Sequence, residues 1–225
     1  MHFDLGSRAH LSARDLGRFA GANLFDKLAR AVCHADCLPR KELYESWEVA
    51  RRVRRRFRGG RVVDLACGPG LTVWIMLCLD ASSPSAVAVD RRLPKNSPRL
   101  HAALAQTWPA LAARVLMREC DLAEEPLTAE DLVVATHACG PLTDRVLERA
   151  ISARARVAVL PCCQDARDQD QGGLGGWLPS GLAIDVTRAL HLQRAGYRIY
   201  TQTIPASITP QNRLLLAEPL TATDS

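Results

Sequence analysis

The sequence predicts an α/β domain on a seven-stranded, mostly parallel sheet with a terminal antiparallel strand, preceded by an N-terminal helical extension. Three observations carry this. From residue 60 onward, short apolar runs of strand type alternate with helix-patterned segments, as expected of parallel strands with helices on both faces. A glycine-rich turn, Cys67-Gly68-Pro69-Gly70, leads out of the first strand into a helix. The last two strand candidates are joined only by residues 204–212, too short for a helical crossover, so they should pair antiparallel. The composition agrees: 225 residues with 48% hydrophobic and 24% charged side chains can bury a core, which excludes a wholly disordered chain. No run of roughly 18 apolar residues occurs, so no membrane span is expected. The opening residues hold no apolar run, which argues against a secretory leader. The eight cysteines then read as reduced thiols of a cytoplasmic protein.

The elements follow in order. Residues 1–59 read as helical, with apolar periodicity around 16–32 and 42–57. In the second piece Leu43, Trp47, Ala50, Val53 and Phe57 recur at spacings of three and four, which aligns them on one face. Gly59 and Gly60 break the pattern. Strands are expected at 61–66, 85–90, 114–120, 131–136, 156–160, 197–203 and 213–217. Helices are expected at 71–79, 99–113, 143–153 and 181–195. The predicted organisation is a helical extension over 1–59, a domain over 60–218 and a tail over 219–225.

Charge is concentrated in one place. The chain carries 29 Lys+Arg against 24 Asp+Glu, and only three of the basic residues are lysines. Residues 40–61 hold nine basic and three acidic side chains, while the rest holds 20 basic against 21 acidic. Arg51, Arg52, Arg54, Arg55, Arg56 and Arg58 flank the apolar face of the second helix. Guanidinium forks match phosphate oxygens, so one reading is a phosphate-binding face. The other is a solvated helix flank, with Glu48 paired locally to Arg51 and Arg52.

The glycine turn is headed by Asp64, whose carboxylate can order the turn and face an ammonium group. A dinucleotide fingerprint would place a third glycine at position 73, which is Val73, so a nicotinamide cofactor is disfavoured. Asp90 ends the second strand and Asp121 follows the third. The stretch Asp64-Leu65-Ala66-Cys67-Gly68-Pro69-Gly70 resembles the first motif of class I S-adenosylmethionine-dependent methyltransferases, which are Rossmann-like, with Ala66 in place of the commoner glycine. The resemblance implies S-adenosyl-L-methionine as cofactor, with contacts from Asp64, Ala66, Gly68, Gly70, Asp90, Arg91, Asp121 and His137. Asp90 would hold the ribose hydroxyls and Asp121 the adenine amino group.

Two later stretches are similar to a narrower methyltransferase group that includes eukaryotic tRNA ribose methyltransferases. They are Thr136-His137-Ala138-Cys139-Gly140-Pro141-Leu142-Thr143-Asp144 and Pro161-Cys162-Cys163. The likeness spans roughly residues 61–217 and departs from some relatives at Gln164. It implies a reaction site lined by His137, Cys139, Cys162 and Cys163. His137 reads either as a proton acceptor or as a structural histidine shaping the turn. Asp144 would orient it or cap the next helix. Cys162 and Cys163 read as small apolar packing, as a thiolate nucleophile toward a pyrimidine ring, or as metal ligands with Cys139 and His137. No resident metal is expected. The long loop 164–181 reads as a lid with Trp177 as its apolar contact, or as a plain surface loop. Asp185 and Arg188 suit an intrahelical ion pair. The expected function is a cytoplasmic methyltransferase acting on RNA, tRNA or rRNA, held through Arg51, Arg52, Arg54, Arg55 and Arg58. The alternatives are a small-molecule methyltransferase and a non-catalytic RNA- or protein-binding module. Oligomeric state is not legible.

Overall fold

The computed structural model describes residues 3–221; residues 222–225 of the expected tail, and the first two of the extension, lie outside it. A short 3-10 helix, Ala13–Arg18, precedes α1 (Leu24–Ala35) and α2 (Arg40–Arg56). Then follow β1 (Val62–Leu65), α3 (Leu71–Leu79), β2 (Ala86–Asp90), α4 (Ser97–Thr107), α5 (Pro109–Ala112), β3 (Val115–Glu119) and β4 (Leu132–Ala135). The chain closes with α6 (Pro141–Ala153), β5 (Arg156–Val159), α7 (Ser180–Arg194), β6 (Tyr197–Thr203) and β7 (Arg213–Pro219).

The seven strands form one sheet in the order β3-β2-β1-β4-β5-β7-β6. The first five are parallel, and β7 runs antiparallel to both β5 and β6, with Val159 opposite Leu215 and Tyr200 opposite Leu216. The antiparallel strand is thus last in the chain but second from the sheet edge. β1 and β4 are buried along their whole length, because helices cover both faces. Their residues alternate strictly between two cores. Val62, Leu132 and Val134 pack under α1–α4, and Val63, Leu65, Val133 and Ala135 pack against α6 and α7.

Two expected helices come out divided. The 16–32 pattern is interrupted at Asn23, whose side chain accepts from the Asp26 N–H and starts α1 afresh. The 99–113 pattern splits into α4 and α5 at Pro109, which has no N–H to continue the helical ladder. The N-terminal helices belong to the layer that covers one sheet face: α1 packs on α4 and α2 on α3. α3 reads LTVWIMLCL and is buried on most sides, because it lies between α2 and the sheet.

The chain turns back between α2 and β1, so α2 runs opposite to β1. Its first turn lies over the carboxyl edge of the strands. Its last turn lies at the amino edge, where Arg58 C=O accepts from Arg156 at the start of β5. The order of connections reverses between β1 and β4, and ligands of open α/β sheets bind at that crevice.

Candidate active site

The turn after β1 is held from three sides. Gly68 N–H donates to an Asp90 carboxylate oxygen at 2.9 Å, and Arg92 N–H donates to the other at 3.2 Å. Trp74 Nε1–H donates to His101 Nδ1 at 2.9 Å, which leaves Nε2 protonated to donate to Pro69 C=O at 3.2 Å. A Cβ on Gly70 would meet Met117 at 2.9 Å and His101 Nε2 at 3.1 Å, and Gly70 sits at φ +80°. Ala66 occupies the same left-handed region at φ 62°, where an L side chain is strained. Ala66→Gly is therefore expected to raise stability by about 1 kcal/mol, net of glycine's greater unfolded-state freedom, as read by urea unfolding. A loss of stability in that variant would show that the turn bears no strain.

Asp64 is fully buried beneath this turn, and neither carboxylate oxygen has a hydrogen-bond partner. Burial, with the neighbouring Asp90 charge, pushes its pKa well above the usual carboxylate range. Such a group calls for a cationic or donor-bearing ligand. Beyond the turn opens a pocket of about 380 Å³, lined by Ala66, Asp90, Arg91, Asp121, Leu122 and Leu142, with Arg145 at its rim. Asp121 accepts from the Ala123 N–H at 2.9 Å, Arg145 at 2.7 Å and Arg91 at 3.3 Å, which hold its carboxyl below the usual range. Of the predicted residues, Ala66, Asp90, Arg91 and Asp121 line one crevice, while Asp64, Gly68, Gly70 and His137 stand behind or beside it and do not line it. An orphaned buried carboxylate, a glycine cradle with no room for a Cβ and a mixed polar and apolar cleft fit a cationic nucleoside.

At the ends of β4 and β5 the structure corrects several expectations. His137 stands against the glycine turn, about where a Gly68 Cβ would point. Burial, reinforced by the Lys41 cation, lowers its pKa to about 4, so the imidazole is neutral at physiological pH and a weak proton acceptor. Asp144 does not orient it. That carboxylate is held by Arg188 at 2.6 and 3.0 Å, and Arg188 also donates to Gly140 C=O and Gln169 Oε1. Arg188 and Asp185 do form the intrahelical pair, at 3.4 Å. Thr143 donates to Ala138 C=O at 2.6 Å and shapes the turn. Burial and the crowded neighbouring thiols push the Cys162 thiol far above the ordinary range, which counts against a free thiolate nucleophile. Trp177 is 88% exposed and packs against little, so it is not the apolar contact of a closed lid.

In the arginine cluster the expected pairing of Glu48 with Arg51 and Arg52 is present, and Arg54 departs from both readings. Arg54 is 2% exposed and cannot meet a macromolecular phosphate. It donates to Met76 C=O at 3.1 Å and Ser83 Oγ at 2.7 Å and pairs with Asp80 at 3.1 Å. Its aliphatic stem continues the apolar stripe inward, which a count of charges does not reveal. Arg51 and Arg52 pair with Glu48, Arg56 with Glu218, and Arg58 with Asp80 at 3.8 Å. Only Arg55 of this set makes no ion pair among the described residues. The Arg54–Arg58 end lies at the amino edge of the strands, opposite the pocket. Lys41, at the other end of α2, was not expected near the site, and Glu42 beside it lies outside the crevice lining. The Lys41 charge reaches His137 and Cys139, and burial beside Glu45 raises Glu42 to about 7. Their sequence signal is no more than membership in a charged helix start.

Strand order and crevice together define the class I S-adenosylmethionine-dependent methyltransferase fold. A family model described as a methyltransferase domain matches residues 41–169, more than half of the chain, and the chain belongs to that methyltransferase family. Its methyl donor is S-adenosylmethionine. Solved structures agree on the fold. An O-methyltransferase family protein from Burkholderia thailandensis superposes with a TM-score of 0.54 at 16% identity, covering 92% of this chain and 63% of that one. An O-methyltransferase described as putative, from Nostoc punctiforme, gives 0.55 at 14% identity, covering 91% and 67%. The B. subtilis M1A22 tRNA methyltransferase TrmK gives 0.50 at 12% identity, covering 77% and 66%. This chain thus spans about two thirds of the length of these proteins. No curated protein matches the sequence. Among the described residues, no helix is long and apolar enough to cross a membrane.

Proposed function

We propose that the chain methylates a small, largely apolar acceptor, with Asp64 receiving the ammonium group of S-adenosylmethionine, Asp90 its ribose hydroxyls and Asp121 its adenine amino group. Ala66, Gly68, Gly70 and Arg91 complete the cofactor contacts, while His137, Cys139, Cys162 and Cys163 stand at the ends of β4 and β5 and line neither the cofactor crevice nor the acceptor cavity. The donor supplies an electrophilic methyl group. The chain's own residues align, desolvate and accept a proton.

The observation that carries the acceptor reading is a cavity of about 460 Å³ that begins at Pro161, the residue before Cys162. Leu182, Val186 and Ala189 of α7 wall it on one side, and Leu214 and Leu215 of β7 on the other. Asp185 and Arg213, paired at 2.6 Å, supply its polar edge together with Thr201, Gln202 and Thr203 of β6. It opens at the carboxyl edge of β5, the same edge as the cofactor crevice, and apolar walls with few polar groups suit a small ligand. A second reading keeps RNA as the acceptor. Arg92, Lys95 and Arg99 are exposed just after Asp90, and none makes an ion pair among the described residues. RNA would then be held there and not by Arg51, Arg52, Arg55 and Arg58.

Labelled methyl donor incubated with the protein and separated fractions of a cell extract decides between them. Label is expected in low-molecular-mass product, and Val186→Arg, which fills the cavity, should abolish it while leaving donor binding intact. Label in RNA, undiminished by Val186→Arg, would replace the first reading with the second. In calorimetric titration, Asp90→Ala is expected to weaken donor binding at least tenfold. Unchanged affinity there would remove the cofactor assignment.

A further inference from the structure

Three thiols converge where β4 and β5 end. Cys139 Sγ lies 2.8 Å from Cys162 Sγ, Cys162 Sγ lies 3.7 Å from Cys163 Sγ, and all three fall within 4.8 Å of one another. Cys139 and Cys163 are exposed and Cys162 is partly buried, so the cluster is open to solvent on one side. None of the three lines the cofactor crevice. We propose that Cys139, Cys162 and Cys163 form a binding site for one soft divalent cation of the zinc class, with three protein thiolates and a fourth position left to an outside ligand.

The spacing supports this. A tetrahedral Zn–S bond of about 2.3 Å separates neighbouring sulfurs by about 3.8 Å. Cys162 and Cys163 already stand at that distance. Opening the Cys139–Cys162 pair by about 1 Å brings that side to the same length, the Cys139–Cys163 side lies within 4.8 Å, and Cys139 is exposed. Two thiols held inside van der Waals contact without a bond gain from a cation that replaces their protons. Among the described residues no histidine or carboxylate joins the cluster, so soft ligands alone define it. Three protein ligands with an open fourth position is the arrangement that zinc adopts where it binds a further ligand, and not where it only staples a fold.

The scaffold around the thiols is braced. Gly140 N–H donates to Cys163 C=O at 3.2 Å and ties the two strand ends together. The buried Arg188 guanidinium fixes Gly140 C=O at 3.0 Å and is itself held by Asp144 and Gln169. Lys41, paired with Glu45 at 3.3 Å, also places a cation near Cys139. On binding, three S–H protons pass to solvent and three S–metal bonds form. No electron moves, so no oxidant is needed.

The test uses the full chain, reduced and stripped with a chelator, then titrated with Co²⁺ or Cd²⁺ and back-titrated with Zn²⁺. The thiolate-to-metal absorption should reach its endpoint at one ion per chain, with proton release and an affinity that rises with pH. Cys139→Ser or Cys162→Ser should weaken binding at least tenfold, while Cys78→Ser on α3 should not. The same samples are titrated with S-adenosylmethionine, so that failure of the metal site and failure of the cofactor assignment are read separately. Absence of the absorption band in the reduced protein, or wild-type metal affinity in the triple serine variant, would overturn the proposal. So would a Cys139–Cys162 disulfide in a protein that takes up no metal after reduction.

Discussion

Asparagine in place of Asp64 is expected to make the ligand-free protein more stable at neutral pH while cutting its affinity for S-adenosylmethionine about a hundredfold or more, equivalent to roughly 2.7 kcal/mol. The two effects share one cause. The Asp64 carboxylate is fully buried, and neither oxygen is hydrogen-bonded. Burial and the Asp90 charge raise its folded-state pKa well above 3.8. The folded chain therefore holds a proton that the unfolded chain gives up. Stability is fullest below the unfolded value and declines as pH rises toward the folded one. Asparagine keeps the shape and removes the charge, so the variant's stability should fall less as pH rises above the unfolded aspartate value of about 3.9. The donor's ammonium would supply the partner that the apo carboxylate lacks, and the amide cannot form that charge-assisted pair. Urea unfolding across pH and calorimetric titration check the two halves. A variant that binds the donor as wild type does would end the assignment of Asp64.

The second large effect is structural. Arg54→Ala should cost about 3–5 kcal/mol of folding stability, the usual result of removing one member of a buried ion pair. Arg54 is inside, bonded to Asp80, Ser83 Oγ and Met76 C=O, and it joins α2 to the end of α3. Arg55→Ala, one residue along on the exposed flank, should stay within about 0.5 kcal/mol. Equal stabilities for the two variants would mean that Arg54 is as solvated as its neighbours.

The fold was legible because its signals are local. Short apolar runs such as Val62–Leu65 and Leu132–Ala135, separated by helix-patterned stretches, specify parallel strands. The 204–212 loop specifies the antiparallel return. The candidate cofactor site was legible for the same reason. Its residues sit at strand ends, and Asp64, Asp90 and Asp121 could be placed at one edge before any contact was known. Helix ends were less legible, since Pro109 and Asn23 act through single hydrogen bonds that periodicity averages away.

The charge reading failed at Arg54 because a sequence reports how many arginines a helix carries but not which of them find partners. Asp80 and Ser83 lie 26 and 29 positions further on, and only the packing of α2 on α3 brings them to Arg54. Lys41 was missed for a related reason: the reversal of direction between α2 and β1 brings that helix start toward His137 and Cys139. Proximity in sequence left Asp144 either to orient His137 or to cap the helix, whereas Arg188, 44 residues away, holds it.

Hydrophobic periodicity and turn chemistry, which act between near neighbours, determined the strand order's raw material, the acid-headed glycine turn and the family. The tertiary structure decided which charges are spent internally, which carboxylate is left without a partner, and which cysteines meet. Those outcomes depend on desolvation and on distances of a few ångströms between residues far apart in the chain, and one-dimensional spacing carries neither.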